Sequence, residues 1–189
     1  MIPKNLIYQP SDDTYLILDS LVGYRGKSVL EIGVGSGIIL KELCKRFSRV
    51  VGTDLDLDAL SFCNQSNDME ADLVCCDGVN ALATSQKYDL IVSNPPYLPF
   101  DDDNSICDRT IYGGITGSEK AIEFIKSVIN LLSQNGTILI LLSSLSNLPE
   151  FYREVASLGL SRRTISKKKL FFESLSVEEI RIFASTCSK

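Results

Sequence analysis

Ser93-Asn94-Pro95-Pro96-Tyr97 directly follows the apolar run Tyr88-Asp89-Leu90-Ile91-Val92. Such a run reads as a strand, and proline cannot donate to a ladder, so the strand ends there. The residue before a proline is pushed into extended geometry, which leaves Asn94 held stiffly at the strand tip. Its carboxamide offers one acceptor and two donors, and the backbone carbonyl beside it adds another acceptor. Tyr97 supplies a flat wall next to them. That set suits a grip on a planar NH2-bearing group, an amide or an exocyclic amine. A rigid strand exit opening a turn would use the same residues.

A second constellation, Glu31-Ile32-Gly33-Val34-Gly35-Ser36-Gly37, lies between a short apolar strand, Ser28 to Ile32, and a helix expected over Ser36 to Phe47. Glycines there let the backbone turn tightly and approach a ligand at the helix start. A dinucleotide fingerprint would need glycine at position 38, which is Ile38, and no Gly-Lys-Ser/Thr phosphate loop is present. Asp54 ends a second strand, Arg49 to Asp54, where a carboxylate can accept from both hydroxyls of a ribose. Asp77 follows a third, Ala71 to Cys76, where it could accept from an adenine amino group. Either acid alone would serve as a turn residue or helix cap. Together with the glycines they mark successive carboxyl ends of parallel strands, the line along which open α/β sheets bind ligands. Gly-x-Gly-x-Gly preceded by an acid is similar to the loop of class I methyltransferases that bind S-adenosylmethionine.

The elements that must position these residues follow from periodicity. Helices are expected over Asp12 to Val22, with Ser11 placed to cap it, and over Asp56 to Asn64, Ser118 to Leu132 and Pro149 to Leu158. Further strands are Tyr88 to Val92 and Gly136 to Leu142, then Ser161 to Ser166 and Val177 to Phe183. The alternation predicts an α/β, Rossmann-like fold: a mostly parallel, seven-stranded, doubly wound sheet with helices on both faces. The last two strands, with no helix between them, predict an antiparallel hairpin at one edge. At 189 residues, a single domain over 1–189 is expected.

The chain has no histidine, which excludes His-based acid–base chemistry, Ser-His-Asp triads and His-ligated zinc. Its net charge of −5 disfavours dedicated binding to a phosphate backbone. Arg162-Arg163 and Lys167-Lys168-Lys169 read as a solvated strand pair and its turn, and Asp101-Asp102-Asp103 as a solvated acidic loop. The six cysteines show no metal-ligand spacing; they read as reduced thiols, with Cys75-Cys76 as small strand hydrophobes. No run approaches membrane-spanning length, and Met1-Ile2-Pro3-Lys4-Asn5 lacks a basic-then-apolar leader pattern, so a cytoplasmic protein is expected.

Together these motifs resemble the release-factor glutamine methyltransferase family, in its archaeal and eukaryotic branch. Tyr8-Gln9-Pro10-Ser11-Asp12-Asp13-Thr14 looks like that branch's N-terminal signature. Gly113-Gly114-Ile115-Thr116-Gly117 looks like its glycine-rich loop, and Leu170-Phe171-Phe172-Glu173 with Ser176-Val177 like its C-terminal hairpin. The chain departs from the pattern at Gln9, where Glu is usual, at Asp56-Leu57, where Asn-Pro is usual, and at Asp108 to Tyr112, where aromatics often precede the glycine loop. The resemblance implies methylation of the glutamine side-chain nitrogen in the Gly-Gly-Gln motif of a class I release factor. It implies that Asn94 and the Pro95 carbonyl accept from the glutamine NH2 and that Tyr97 packs on the substrate, with Asn94, Pro95, Pro96 and Tyr97 as the catalytic set. Thr14, Glu31, Gly33, Gly35, Gly37, Asp54, Leu55, Asp77 and Asn94 would line S-adenosylmethionine, with no metal. A small zinc-ribbon activator is expected to pair with an edge strand, Asp72 to Cys76. The residues alone leave open an exocyclic amine of adenine or guanine in nucleic acid, a protein lysine, or a non-enzymatic subunit that keeps the fold to bind a partner.

Overall fold

A computed structural model describes residues 8–65, 69–100 and 111–182. The acidic run Asp101-Asp102-Asp103, Asp108 to Thr110, Cys107, Cys187 and Phe183 lie outside the described residues. Elements follow in the order α1 (Asp12–Ser20), β1 (Gly26–Ile32), α2 (Ile38–Cys44), β2 (Phe47–Asp54), α3 (Leu57–Asn64), β3 (Asp72–Cys75), β4 (Tyr88–Ser93), β5 (Leu98–Pro99), β6 (Tyr112–Gly114), α4 (Glu119–Val128), β7 (Leu132–Ser143), α5 (Leu148–Ser157), β8 (Leu160–Lys169) and β9 (Ser174–Ile182). Seven strands form one sheet in the order β3-β2-β1-β4-β7-β9-β8, and β5 pairs with β6 separately. The pairs from β3 through β7 are parallel; β9 runs antiparallel to β7, and β8 to β9.

Strands covered on both faces must be apolar at successive positions, and the central strands are. Val29, Val50, Leu90, Val92, Leu139 and Leu141 pack with Leu16 and Ile17 of α1, Leu40 and Leu43 of α2 and Leu60 of α3. Their neighbours Leu30, Val51, Ile91, Ile138 and Ile140 pack with Phe124, Ile125 and Val128 of α4 and Phe151 and Val155 of α5. Helices therefore cover both faces. Among the described residues, no helix is long and apolar enough to cross a membrane.

Several boundaries move from their expected places. Phe47, expected in a helix, opens β2, and its side chain is buried there. The helix expected to reach Leu132 stops at Val128 and tightens into a 3-10 turn, Ile129–Leu131, and Leu132 already begins β7. The register between β4 and β7 then shifts from Tyr88↔Leu132 to Leu90↔Thr137, so Ser133-Gln134-Asn135-Gly136 bulges out of the ladder. Those turn-forming residues hid the strand's first pairing. Ser11 is the α1 cap residue by position, but its hydroxyl donates to Asp13 Oδ1 at 2.7 Å rather than accepting from the helix. Cys75 is an exposed strand end rather than a packed hydrophobe.

The arginines of the C-terminal hairpin are exposed, as expected of a solvated strand pair, and they are also paired with acids. Arg162 donates to the fully buried Glu178 at 3.0 Å, with its guanidinium 3.4 Å from the Tyr152 ring centre. Arg163 donates to Glu179 at 2.7 Å, and Tyr24 and Arg181 donate to the same carboxylate. Burial alone would raise the Glu179 carboxyl, but these hydrogen bonds and cations hold it below its ordinary value. The cations of β8 thus neutralise acids that β9 buries on both of its faces.

Candidate active site

Strand order reverses between β1 and β4: the chain proceeds from β1 outward to β2 and β3, then returns to add β4 and β7 on the other side. A crevice opens at such a switch point. Ile32 and Ser93 pair across it, so the glycine loop after β1 and Asn94 after β4 leave the sheet side by side. The glycine loop is tied to β2: Gly33 N and Val34 N donate to Thr53 O at 2.8 and 3.2 Å, and Gly35 N to Asp54 Oδ2 at 2.9 Å. Asp54 Oδ1 accepts from Asp56 N at 2.9 Å. Gly33 and Gly37 adopt φ of 78° and 74°. A Cβ at Gly37 would fall 2.5 Å from Cys63 Sγ, whereas one at Gly33 would meet nothing within 4 Å. Glycine at 37 lets the loop close on α3; at 33 it leaves backbone open to a ligand.

Buried polar side-chain atoms almost always find partners. Among the described residues the exceptions are Glu31 Oε2, Thr53 Oγ1 and Asn94 Oδ1. They lie at the carboxyl ends of β1, β2 and β4, three adjacent strands bordering the crevice. Burial, and then the Asp54 carboxylate, push the Glu31 carboxyl well above its ordinary range. Acids crowded in this way suit a ligand that brings positive charge and hydroxyl donors.

Asn94 is fixed from behind. Its Nδ2 donates to Asp13 Oδ2 at 3.1 Å. Tyr8, Ser11 and the Thr14 N–H also donate to that carboxylate. Desolvation would raise the Asp13 carboxyl, but the bonds from Tyr8, Asn94, Ser11 and Thr14 outweigh it and hold it below its usual value. An ionised carboxylate only accepts, so it must face the Asn94 NH2 and turn Oδ1 away as a free acceptor. Asp13 is the site residue the sequence reading left out, although it adjoins Thr14. Thr53, with no local signal beyond preceding Asp54, was missed as well. Thr14 itself is buried, its hydroxyl on Asp13 at 3.1 Å.

The Asn-Pro-Pro-Tyr segment rests on the second glycine loop. Leu98 N donates to Ile111 O at 3.1 Å and Phe100 N to Gly114 O at 2.8 Å. Ser146 Oγ donates to Tyr97 O at 2.8 Å. A Cβ at Gly113 would lie 2.6 Å from Pro96 O, and one at Gly117, where φ is 79°, 2.4 Å from Tyr97 O. Gly117→Ala therefore has to displace Tyr97 and is expected to lower activity about tenfold, beyond the roughly 1–2 kcal/mol that a left-handed alanine costs. Gly159→Ala is the control, because φ there is 69° but nothing lies within 4 Å. Equal activity in the two variants, at matched thermal stability, would remove the positioning role. The Tyr97 hydroxyl is raised by burial first, then by the nearby Glu173 and Asp13 carboxylates, so Tyr97 acts as a neutral wall.

Of the other expected cofactor residues, Leu55 is exposed directly after Asp54, and Asp77 is exposed two residues past the end of β3. Cys76 N donates to Asp54 O at 3.0 Å, which holds that end of β3 against β2. S-adenosylmethionine fits what is present: open backbone at Gly33, a buried Glu31 beside Asp54 with its Oε2 unpartnered for a cation, and exposed groups further along for a nucleoside.

Comparison with known proteins agrees with this geometry. A family described as "Methyltransferase domain" matches residues 29–109. A putative protein N5-glutamine methyltransferase of Methanocaldococcus jannaschii is 32% identical over 178 residues, covering 90% of this chain and 89% of that protein. The human protein named Methyltransferase HEMK2 is 27% identical over 187 residues, covering 90% and 87%. Among solved structures, the E. cuniculi Mtq2–Trm112 complex, described as responsible for methylation of the eRF1 translation termination factor, matches with a TM-score of 0.76 and 28% identity, covering 93% of this chain and 98% of that one.

Proposed function

The chain belongs to the family of protein N5-glutamine methyltransferases, S-adenosylmethionine-dependent enzymes, and from that premise we propose that its acceptor is the glutamine of the Gly-Gly-Gln motif in a class I translation release factor. The carrying observation is Asn94 Oδ1, buried and unpartnered because Asp13 takes the Asn94 NH2 instead. An amide nitrogen is a poor nucleophile because its lone pair is delocalised, so orienting it is the main task. Asn94 Oδ1 and the Pro95 carbonyl would accept from the two N–H groups of the acceptor amide, aim its nitrogen and favour the positive charge that builds there. Tyr97 would hold the amide plane from the side. No base is needed before attack, in keeping with the absence of histidine; the surplus proton leaves to solvent afterwards. S-adenosylmethionine, when bound, supplies an electrophilic methyl on a positively charged sulfur. Thr14, Glu31, Gly33, Gly35, Gly37, Asp54, Leu55, Asp77 and Asn94 are the residues that would hold it, within a single methyltransferase domain.

The partner is proposed on similar grounds. Mtq2 of E. cuniculi is in complex with Trm112. Here β3 is an edge strand with partly exposed Leu73 and Val74, and such an edge invites a further strand. A small zinc-ribbon activator would pair along it, and a translation-factor substrate would place the pair in the cytoplasm.

The test is to incubate the chain, with and without the zinc-ribbon partner, with labelled S-adenosylmethionine and a release factor carrying Gly-Gly-Gln or Gly-Gly-Ala. Label on the glutamine protein alone is the expected result. Label on neither, with cofactor bound and partner present, would end the release-factor assignment and direct the search to exocyclic amines of nucleic acid.

A further inference from the structure

The most exposed large apolar side chains of the described residues belong to the β8–β9 turn: Phe171 is 92% exposed and Phe172 85%. Their rings meet edge to face, 4.6 Å apart at 81°. The turn beneath them is anchored. Leu170 packs against the core and its N donates to Glu173 O at 2.8 Å. Ser143 Oγ donates to Glu173 Oε2 at 2.5 Å, and Ser144 N to Ser174 O at 2.9 Å. A rigid turn therefore presents two phenylalanines that do nothing for the core.

Their place in the fold is informative. Because β9 is antiparallel to β7, it starts where β7 ends, so the turn projects from the same end of the sheet as Asn94 and the glycine loop. Along that rim lie Leu145, whose N donates to Ser143 Oγ at 3.1 Å, and Ile115, 81% exposed. Thr116 O accepts from Asn147 N at 3.0 Å, Ser146 holds Tyr97 O, and Ser144 N bonds Ser174 O, so the segments carrying Ile115, Leu145 and the aromatic pair are tied together at the rim that carries Tyr97. Aromatic side chains, phenylalanine among them, are enriched at protein–protein interfaces, and exposed apolar patches mark interaction sites.

The occupant follows from reach and charge. A glutamine side chain extends only roughly 5 Å from its Cα, so whatever offers one to Asn94 lays its backbone on this rim. The small partner expected on β3 would sit at the far edge of the sheet: β3 and β8 are opposite edges, six strand spacings or roughly 29 Å apart. Lys167 and Lys169 are exposed beside the phenylalanines, on an otherwise acidic chain, while Lys168 is 2.8 Å from Asp12. We propose that Phe171 and Phe172, with Leu145 and Ile115, form the docking surface for the body of the release factor, receiving an apolar patch with an acidic margin beside its glutamine loop. This rests on the release-factor reading above.

The experiment compares the chain, with its activator, against Phe171→Ser/Phe172→Ser and Lys167→Glu/Lys169→Glu on the intact release factor. S-adenosylmethionine affinity and thermal stability serve as folding controls. For the phenylalanine variant the KM for the release factor should rise tenfold or more, with kcat little changed. The lysine variant should show a smaller rise that shrinks as salt is added. An unchanged KM in the phenylalanine variant, or a loss confined to kcat, overturns the proposal. So does a wild-type dimer that the variant disperses, since a second copy would then cover the turn. If the wild-type chain fails to methylate the release factor at all, the release-factor reading itself is what has failed.

Discussion

Replacing Asn94 by alanine will lower kcat for glutamine methylation roughly 100- to 1,000-fold, the scale seen when a positioned hydrogen-bonding group at a reacting centre is removed. Affinity for S-adenosylmethionine should fall only a few-fold, because Asn94 is one cofactor residue among nine and Glu31, Asp54 and the glycine-loop anchors are untouched. Asn94→Asp should fare no better. It restores an oxygen at the right place but sets a carboxylate against Asp13, where the Asn94 NH2 now donates at 3.1 Å. Asp13→Asn should be milder in kind: it keeps Asn94 but removes the charge that dictates which way its carboxamide faces. Single-turnover label transfer at saturating cofactor, with calorimetric binding in parallel, reads all three. An Asn94→Ala protein with wild-type kcat would show that the amide is gripped elsewhere.

Cofactor affinity is expected to rise with pH, about tenfold per unit, until the medium passes the raised pKa of Glu31, and to be flat above it. In the free chain, burial and then Asp54 push that carboxyl well above its ordinary range, so Glu31 holds a proton where other glutamates have lost theirs. A cationic ligand favours the ionised form, so binding expels one proton, and the proton's cost falls as pH rises. The same shift has the opposite sign for stability. The folded chain binds more protons than the unfolded one, so Glu31 contributes stability below the ordinary glutamate pKa and loses it as pH rises towards the folded value. The free chain's Tm should therefore fall across that interval. Glu31→Gln should flatten both profiles while weakening the cofactor at high pH. Binding constants and melting curves from pH 5 to 9 decide it; pH-independent affinity in the wild-type chain would mean that Glu31 does not meet the cation.

What the sequence determined was the line of the site. Strand–helix alternation, a glycine loop after the first strand and a proline exit after the fourth place Gly33, Asp54 and Asn94 at carboxyl ends of parallel strands, because period and punctuation are local properties. Helix ends and the start of β7 were less legible. Ser133-Gln134-Asn135-Gly136 spells a turn, and only pairing with Tyr88 makes Leu132 a strand residue. The direction of the Asn94 carboxamide was not legible either. It depends on Asp13, 81 residues earlier in the chain, whose charge survives burial because Tyr8, Ser11 and Thr14 surround it. The second glycine loop could be read as a motif, but its purpose, close passage beneath Pro96 and Tyr97, is a contact between segments. Residue types and spacing decided which groups are present at the crevice. Tertiary packing decided which end of the Asn94 carboxamide is left without a partner, since orientation is set by neighbours that sequence separation conceals.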